Sequence, residues 1–430
     1  MLTFYQYLAF LLPTFYLLLK GYFLSIEFTL YPYLTSAGLL PYKNIVDQHF
    51  PSLFFGFFSL PYYLVDKPEK LLILLILLNT GTAYFLYLFL KNEKVQNSQW
   101  WLFMFSLLQI YFSANYLWTE TFVCFFLSLV LHSNRYSNKA IGLLSGLVLF
   151  QVVLIRPTSI IFVFLYYLFY IRNKIYVFLG GFVSFILSIS YLLYYQLLPN
   201  FVQLAIEFNK HVYSQHQSPT PGKRQIISLI ALVAVFCYLL IKKKKYFFLI
   251  AGISTLALIY PRFGFEHLQL FGLSFVYFLS QIKINSKEYY LIFTTVTILF
   301  LQSILGITRA RYGNYFHSPE LYHQASQLRH LVQKEVYLLG ASDLLYPLSE
   351  KLPPNKYYLP SLPWYLNQPD FVKQLITNLQ SSKALVLLDP NFTVDDQKLI
   401  TSSPEIYTYI KMNYILDGQI GSLELYKPKL

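Results

Sequence analysis

Between its first apolar run and the next, the chain places Glu27, Lys43, Asp47 and His49 in one connector, the last three within GLLPYKNIVDQHFP, Gly38 to Pro51. An aspartate two residues before a histidine sets a proton acceptor beside an imidazole that can donate to phosphate, a pairing suited to acid–base chemistry at a membrane surface. The plain alternative is a solvated loop. Glu120 follows Trp118 and Thr119 at the start of an apolar run, where a carboxylate serves either catalysis or the positive end of a helix dipole. Arg156, in LIRPTS, precedes a proline suited to a first helical turn and can grip an anion with two N–H groups. Arg262, Glu266 and His267 share the stretch YPRFGFEHLQLF, in which His267 is either a structural hydrogen-bond partner or a phosphate ligand. Lys20, near the end of the first run, either snorkels to the interface or touches phosphate.

Elements able to hold these residues follow from composition. Of 430 residues, 56% are hydrophobic and 12% charged, and many apolar runs approach the length of a bilayer crossing. That composition predicts a polytopic α-helical membrane protein. The net charge of +13 sits mostly in short connectors, which argues against nucleic-acid binding. Forty Tyr and forty Phe suit interfacial belts, with tyrosine hydroxyls also serving inside cavities. Cys124 and Cys237 lie in apolar runs and suggest neither a disulfide nor a metal site. There is no HExxH, Walker loop or GxGxxG, so soluble nucleotides are poor candidates and no metal is indicated, although a divalent ion stays open.

The first run, from about Tyr5 to Leu24, lacks a basic n-region and reads as a retained span. Pro51 to Val65 is short and holds Pro61, which predicts a helix lying in the interface. With that segment not crossing, Lys91, Lys94, Arg135, Lys139, Arg172, Lys174, Lys242 to Lys245, Lys283 and Lys287 fall on one face, the cytoplasmic one by the positive-inside rule. The reading gives about eleven spans in residues 1–309, in a plasma (inner) membrane, with the candidate residues on the external side. Residues 310–430 regain charge and proline. Apolar strands at Val336 to Leu339 and Ala384 to Leu388, with a helix over Asp370 to Leu379, predict a small external α/β domain.

The block Gly38 to Pro51 resembles the first external loop of the GT-C superfamily of membrane glycosyltransferases, in the branch of protein O-mannosyltransferases and lipid A aminoarabinose transferases. Trp118 to Glu120, Arg156 to Thr158, Arg262 to His267 and the tail segment VYLLGASDLLYPLSEKLPPNKYYLPSLPWY are similar to further family features. The resemblance implies transfer of a sugar from a polyprenyl-phosphate donor to a glycan, lipid or protein acceptor, with inversion at the anomeric carbon. It implies a first-loop carboxylate as base, either Asp47 or Glu27, with His49 taking the place of a basic phosphate contact. Lys43, Glu120, Arg156, Arg262 and His267 would complete substrate binding. The family's acidic pair after the first helix is reduced here to Glu27, and Asn44 stands where a further acid often lies. Two other readings compete: a lipid or polysaccharide transporter, with Asn79, Thr80 and Gln109 as polar groups at mid-membrane depth, and a non-catalytic assembly subunit.

Overall fold

The computed structural model describes residues 4–52, 55, 59–134, 136, 138–215, 222–260, 264–305, 317–394 and 397–429. The chain is predominantly helical. Three helices, Pro68–Asn92, Lys174–Tyr194 and Lys223–Lys242, are long and apolar enough to cross a membrane. At about 1.5 Å per residue their 25, 21 and 20 residues match the roughly 30 Å hydrocarbon layer. Shorter apolar helices include Thr119–Ser133, Lys139–Ile155 and Tyr246–Ile259.

Two compact units emerge. The first comprises Met1–Leu24, Leu71–Ser188 and Pro219–Asn314; the second comprises Ser25–Lys70, Ile189–Ser218 and Tyr315–Leu430. Where the sequence suggests one boundary near 309/310, the tail therefore packs as one body with two earlier segments. The first unit is a helical bundle. In it Ser106 donates to the carbonyl of Ala9 at 2.7 Å, and Asn79 donates to that of Ala114 at 2.7 Å, so buried polar groups serve helix packing.

The second unit is built on a four-stranded sheet whose spatial order is Val336–Leu339, Leu385–Leu388, Leu423–Pro428, Tyr414–Ile420. The first two strands run parallel, Val336 opposite Leu385, and the remaining pairs are antiparallel. Both parallel strands are buried at every position, which is why they read in sequence as unbroken apolar runs. The helix Pro369–Ser382 lies between them in the chain and buries Val372, Leu375 and Leu379. The early connector is stitched to this tail by backbone: Val46 N–H donates to Tyr358 O at 2.9 Å and Tyr358 N–H to Asn44 O at 2.7 Å.

The expected interfacial helix over 51–65 needs correction. Residues 53, 54 and 56–58 lie outside the described residues, and the rest holds a Ser52–Phe55 bridge and a single 3-10 turn, Tyr62–Leu64. Pro61 is extended at φ −60°, ψ 136°, and a proline there offers no N–H to carry a helix through.

Candidate functional site

In the second unit, the helix Glu27–Ser36 and the turn that follows bring Tyr31, Tyr42, Asp47 and His49 together. The Asp47 side chain is 4% exposed and that of His49 41%. One carboxylate oxygen of Asp47, Oδ1, accepts the His49 backbone N–H at 2.8 Å and pairs with His49 Nδ1; the other, Oδ2, accepts the Tyr31 hydroxyl. A carboxylate so occupied works through its neighbour: with Oδ1 on Nδ1, it fixes the orientation of the imidazole ring.

The peptide carrying this pair is fixed on every side. Tyr42 donates its hydroxyl to His49 O at 2.6 Å, Gln48 N–H donates to the Tyr365 hydroxyl at 3.2 Å, and Asn209 donates to Gln48 O at 3.0 Å. Tyr42 itself sits at φ 65°, an uncommon backbone for a bulky residue, and Asn200 donates to its carbonyl at 3.0 Å. Burial, followed by the Asp47 carboxylate, pushes the hydroxyls of Tyr31 and Tyr42 well above the ordinary phenol value, so both act as donors rather than phenolates.

The other early candidates separate by exposure. Glu27 opens its helix, half-buried, and accepts a hydrogen bond from Ser25. Lys43 is exposed on the turn. A carboxyl that the sequence reading passed over joins the group: Asp343 accepts the Tyr358 hydroxyl at 2.8 Å. Burial pushes Asp343 up to about 7; the Tyr358 hydroxyl opposes that shift and the charge of Glu27 adds to it. Asp343 lies just past the strand Val336–Leu339, beyond Gly340 at φ 77°, and the carboxyl end of a strand in such sheets is where ligands usually gather. That strand–glycine–acid order in LLGASD was the signal available for it.

The first unit collects a second set. Glu120, fully buried in the first turn of Thr119–Ser133, lies 3.0 Å from Arg156 Nε and 2.7 Å from His267 Nδ1. Its other oxygen accepts the Thr119 hydroxyl at 2.7 Å. The Arg156 contact is one of charge rather than a hydrogen bond, since Nε has no aligned acceptor; the guanidinium instead donates through Nη2 to Leu258 O at 2.6 Å. Arg156 and His267, both expected to bind substrate, thus contact Glu120 first. Arg262 lies outside the described residues.

Among the described residues no group of three or more His, Cys, Asp or Glu side chains is placed to hold a metal ion. No protein-family model matches the chain, and no curated protein shows significant similarity to it.

Proposed function

We propose that this chain is a membrane glycosyltransferase that moves a sugar from a polyprenyl-phosphate donor to an acceptor hydroxyl at the external face of the plasma (inner) membrane. The observation that carries the proposal is the Asp47–His49 pair, a buried carboxylate orienting a half-exposed imidazole. In the reaction, the acceptor oxygen attacks the anomeric carbon from the face opposite the phosphate. Its proton passes to the Asp47–His49 pair, or to Glu27, as the C–O bond to phosphate breaks and the polyprenyl phosphate departs with the electron pair. Such a base contributes about 10²–10⁴-fold. Lys43, exposed on the turn before the pair, would meet the phosphate. Three long apolar helices support a membrane setting, and about eleven spans with the second unit outside remain the topology we favour. The local use of Asn79 in helix packing weighs against a polar transport path.

Purified protein in liposomes, given labelled polyprenyl-phosphate sugars and an acceptor extract, tests this. Transfer by the wild type, with a loss of about 10²-fold or more in Asp47→Asn or Glu27→Gln, is the expected result. Turnover unchanged from the wild type in both variants would remove the assigned base, and uptake of substrate without transfer would favour a transporter.

A further inference from the structure

The first unit carries a basic patch that the proposed chemistry does not use. The helix Lys223–Lys242 ends in the run Lys242 to Lys245, and the helix Ser286–Leu305 begins beside it, because Glu288 in its first turn pairs with Lys242 at 2.9 Å and with Lys243 at 3.1 Å. Asn285 fixes that start: Glu288 N–H donates to its side chain at 3.0 Å while its own N–H donates to Glu288 at 2.8 Å. Glu288 is buried, so one carboxylate is consumed in joining the two helix ends.

Four lysines are left over. Lys244, Lys245, Lys283 and Lys287 are exposed, and among the described residues none has a carboxylate ion pair. Lys244 occupies the left-handed position, φ 55°, that closes the helix and is more often glycine. The skin around them is apolar and aromatic: Tyr238, Ile241, Tyr246 and Tyr290 are 51%, 50%, 55% and 72% exposed. Lysines next to exposed tyrosine and isoleucine at the end of a bilayer-length helix meet headgroups with their charge and acyl chains with their flanks. A nucleic acid would have no use for that apolar collar.

We propose that this patch binds the phosphate-bearing headgroups of anionic phospholipids, selecting them over zwitterionic ones. The inference needs Lys223–Lys242 to cross the bilayer and does not depend on sugar transfer.

The full chain reconstituted in equimolar phosphatidylglycerol and phosphatidylcholine tests it, with spin-labelled lipids reporting the selectivity of the protein-contacting shell. Each lysine near an anionic surface is worth up to about fivefold, so a preference for phosphatidylglycerol of at least about fivefold is expected in the wild type, falling to within about twofold of none in Lys244→Gln/Lys245→Gln/Lys283→Gln/Lys287→Gln. Salt supplies the measurement that needs no variant: at about 0.5 M the wild-type preference should also collapse. Wild-type protein without preference, or preference that survives either the four substitutions or salt, overturns the proposal. So does displacement by millimolar inorganic phosphate, which would mean a discrete anion pocket, or by a single-stranded oligonucleotide.

Discussion

Asp47 Oδ1 receives both the backbone N–H of His49, at 2.8 Å, and the His49 ring nitrogen Nδ1, so a two-residue spacing closes on itself around one oxygen. If this pair acts as a unit in proton transfer, the two residues will not contribute independently. His49→Gln and Asp47→Asn should each lower transfer by about 10²–10⁴-fold, and the double variant should be little worse than the poorer single one. Single-turnover rates with labelled donor in liposomes check this. Additive losses would mean that the two side chains act at separate points.

Tyr31→Phe removes the donor to Asp47 Oδ2 while keeping the ring against Phe55, 5.1 Å between centroids. A buried carboxylate oxygen then lacks its partner. The variant should lose about 1–3 kcal/mol of stability, read as a lower thermal midpoint in detergent, with activity reduced less than in Asp47→Asn.

How much of this was visible in the linear chain differs residue by residue. Asp47 and His49 could be picked out because their partners are two positions apart and charged groups are scarce around them. Tyr31 could not, being one of forty tyrosines with nothing local to mark it. The strands Val336–Leu339 and Leu385–Leu388 were legible because a sheet covered on both faces needs unbroken apolar runs. The pairing of Ile45 with Tyr358 was not, since a bridge across so long a separation leaves no periodicity in either segment. For the same reason Glu120, Arg156 and His267 appeared as three separate candidates at helix ends, although His267 reaches Glu120 across 147 positions. The short length of 51–65 and Pro61 argue against a bilayer crossing, but neither fixes a helix, and Pro61, extended at ψ 136°, precedes only a single 3-10 turn.

Asp343 should give the protein a pH-dependent stability. Its carboxyl is raised from an ordinary 3.8 to about 7 in the folded chain, so the folded state holds a proton that the unfolded state releases. The stabilisation is fully present below about pH 4 and is lost as pH rises towards 7. Asp343→Asn mimics the protonated form and should flatten this dependence, gaining stability at pH 8 relative to the wild type. Thermal midpoints at pH 5.5 and 8 decide the matter. An unchanged wild-type–variant difference across that range would show that Asp343 does not titrate there.

Glu120→Gln leaves Arg156 and His267 without the carboxylate that they share. Breaking a buried charged cluster on one side costs about 3–5 kcal/mol, more than removing both partners together. Glu120→Gln should therefore be less stable than Glu120→Gln/Arg156→Met, as measured by thermal unfolding of the purified proteins. If the single variant is the more stable of the two, Arg156 is held by Leu258 O and solvent rather than by Glu120.

Neighbouring glycines in the helix Lys174–Tyr194 should respond in opposite ways. A Cβ on Gly180 would stand 2.0 Å from the carbonyl oxygen of Leu143, and one on Gly146 would stand 2.0 Å from that of Val177, so the helices Lys139–Ile155 and Lys174–Tyr194 meet backbone to backbone. Backbone cannot swing aside as a side chain can. A Cβ on Gly181 would meet only the oxygen of Gly146, at 3.6 Å, which is an ordinary contact. Small residues that let membrane helices approach this closely are a main source of their association, because lipid supplies no hydrophobic drive between them. Gly180→Ala should thus cost about 1–3 kcal/mol or more by forcing the helices apart. Gly181→Ala should be neutral or gain up to about 1 kcal/mol from helix propensity. Thermal midpoints of the two variants in one detergent provide the comparison, and equal shifts would show that the close approach is not where this helix pair draws its stability.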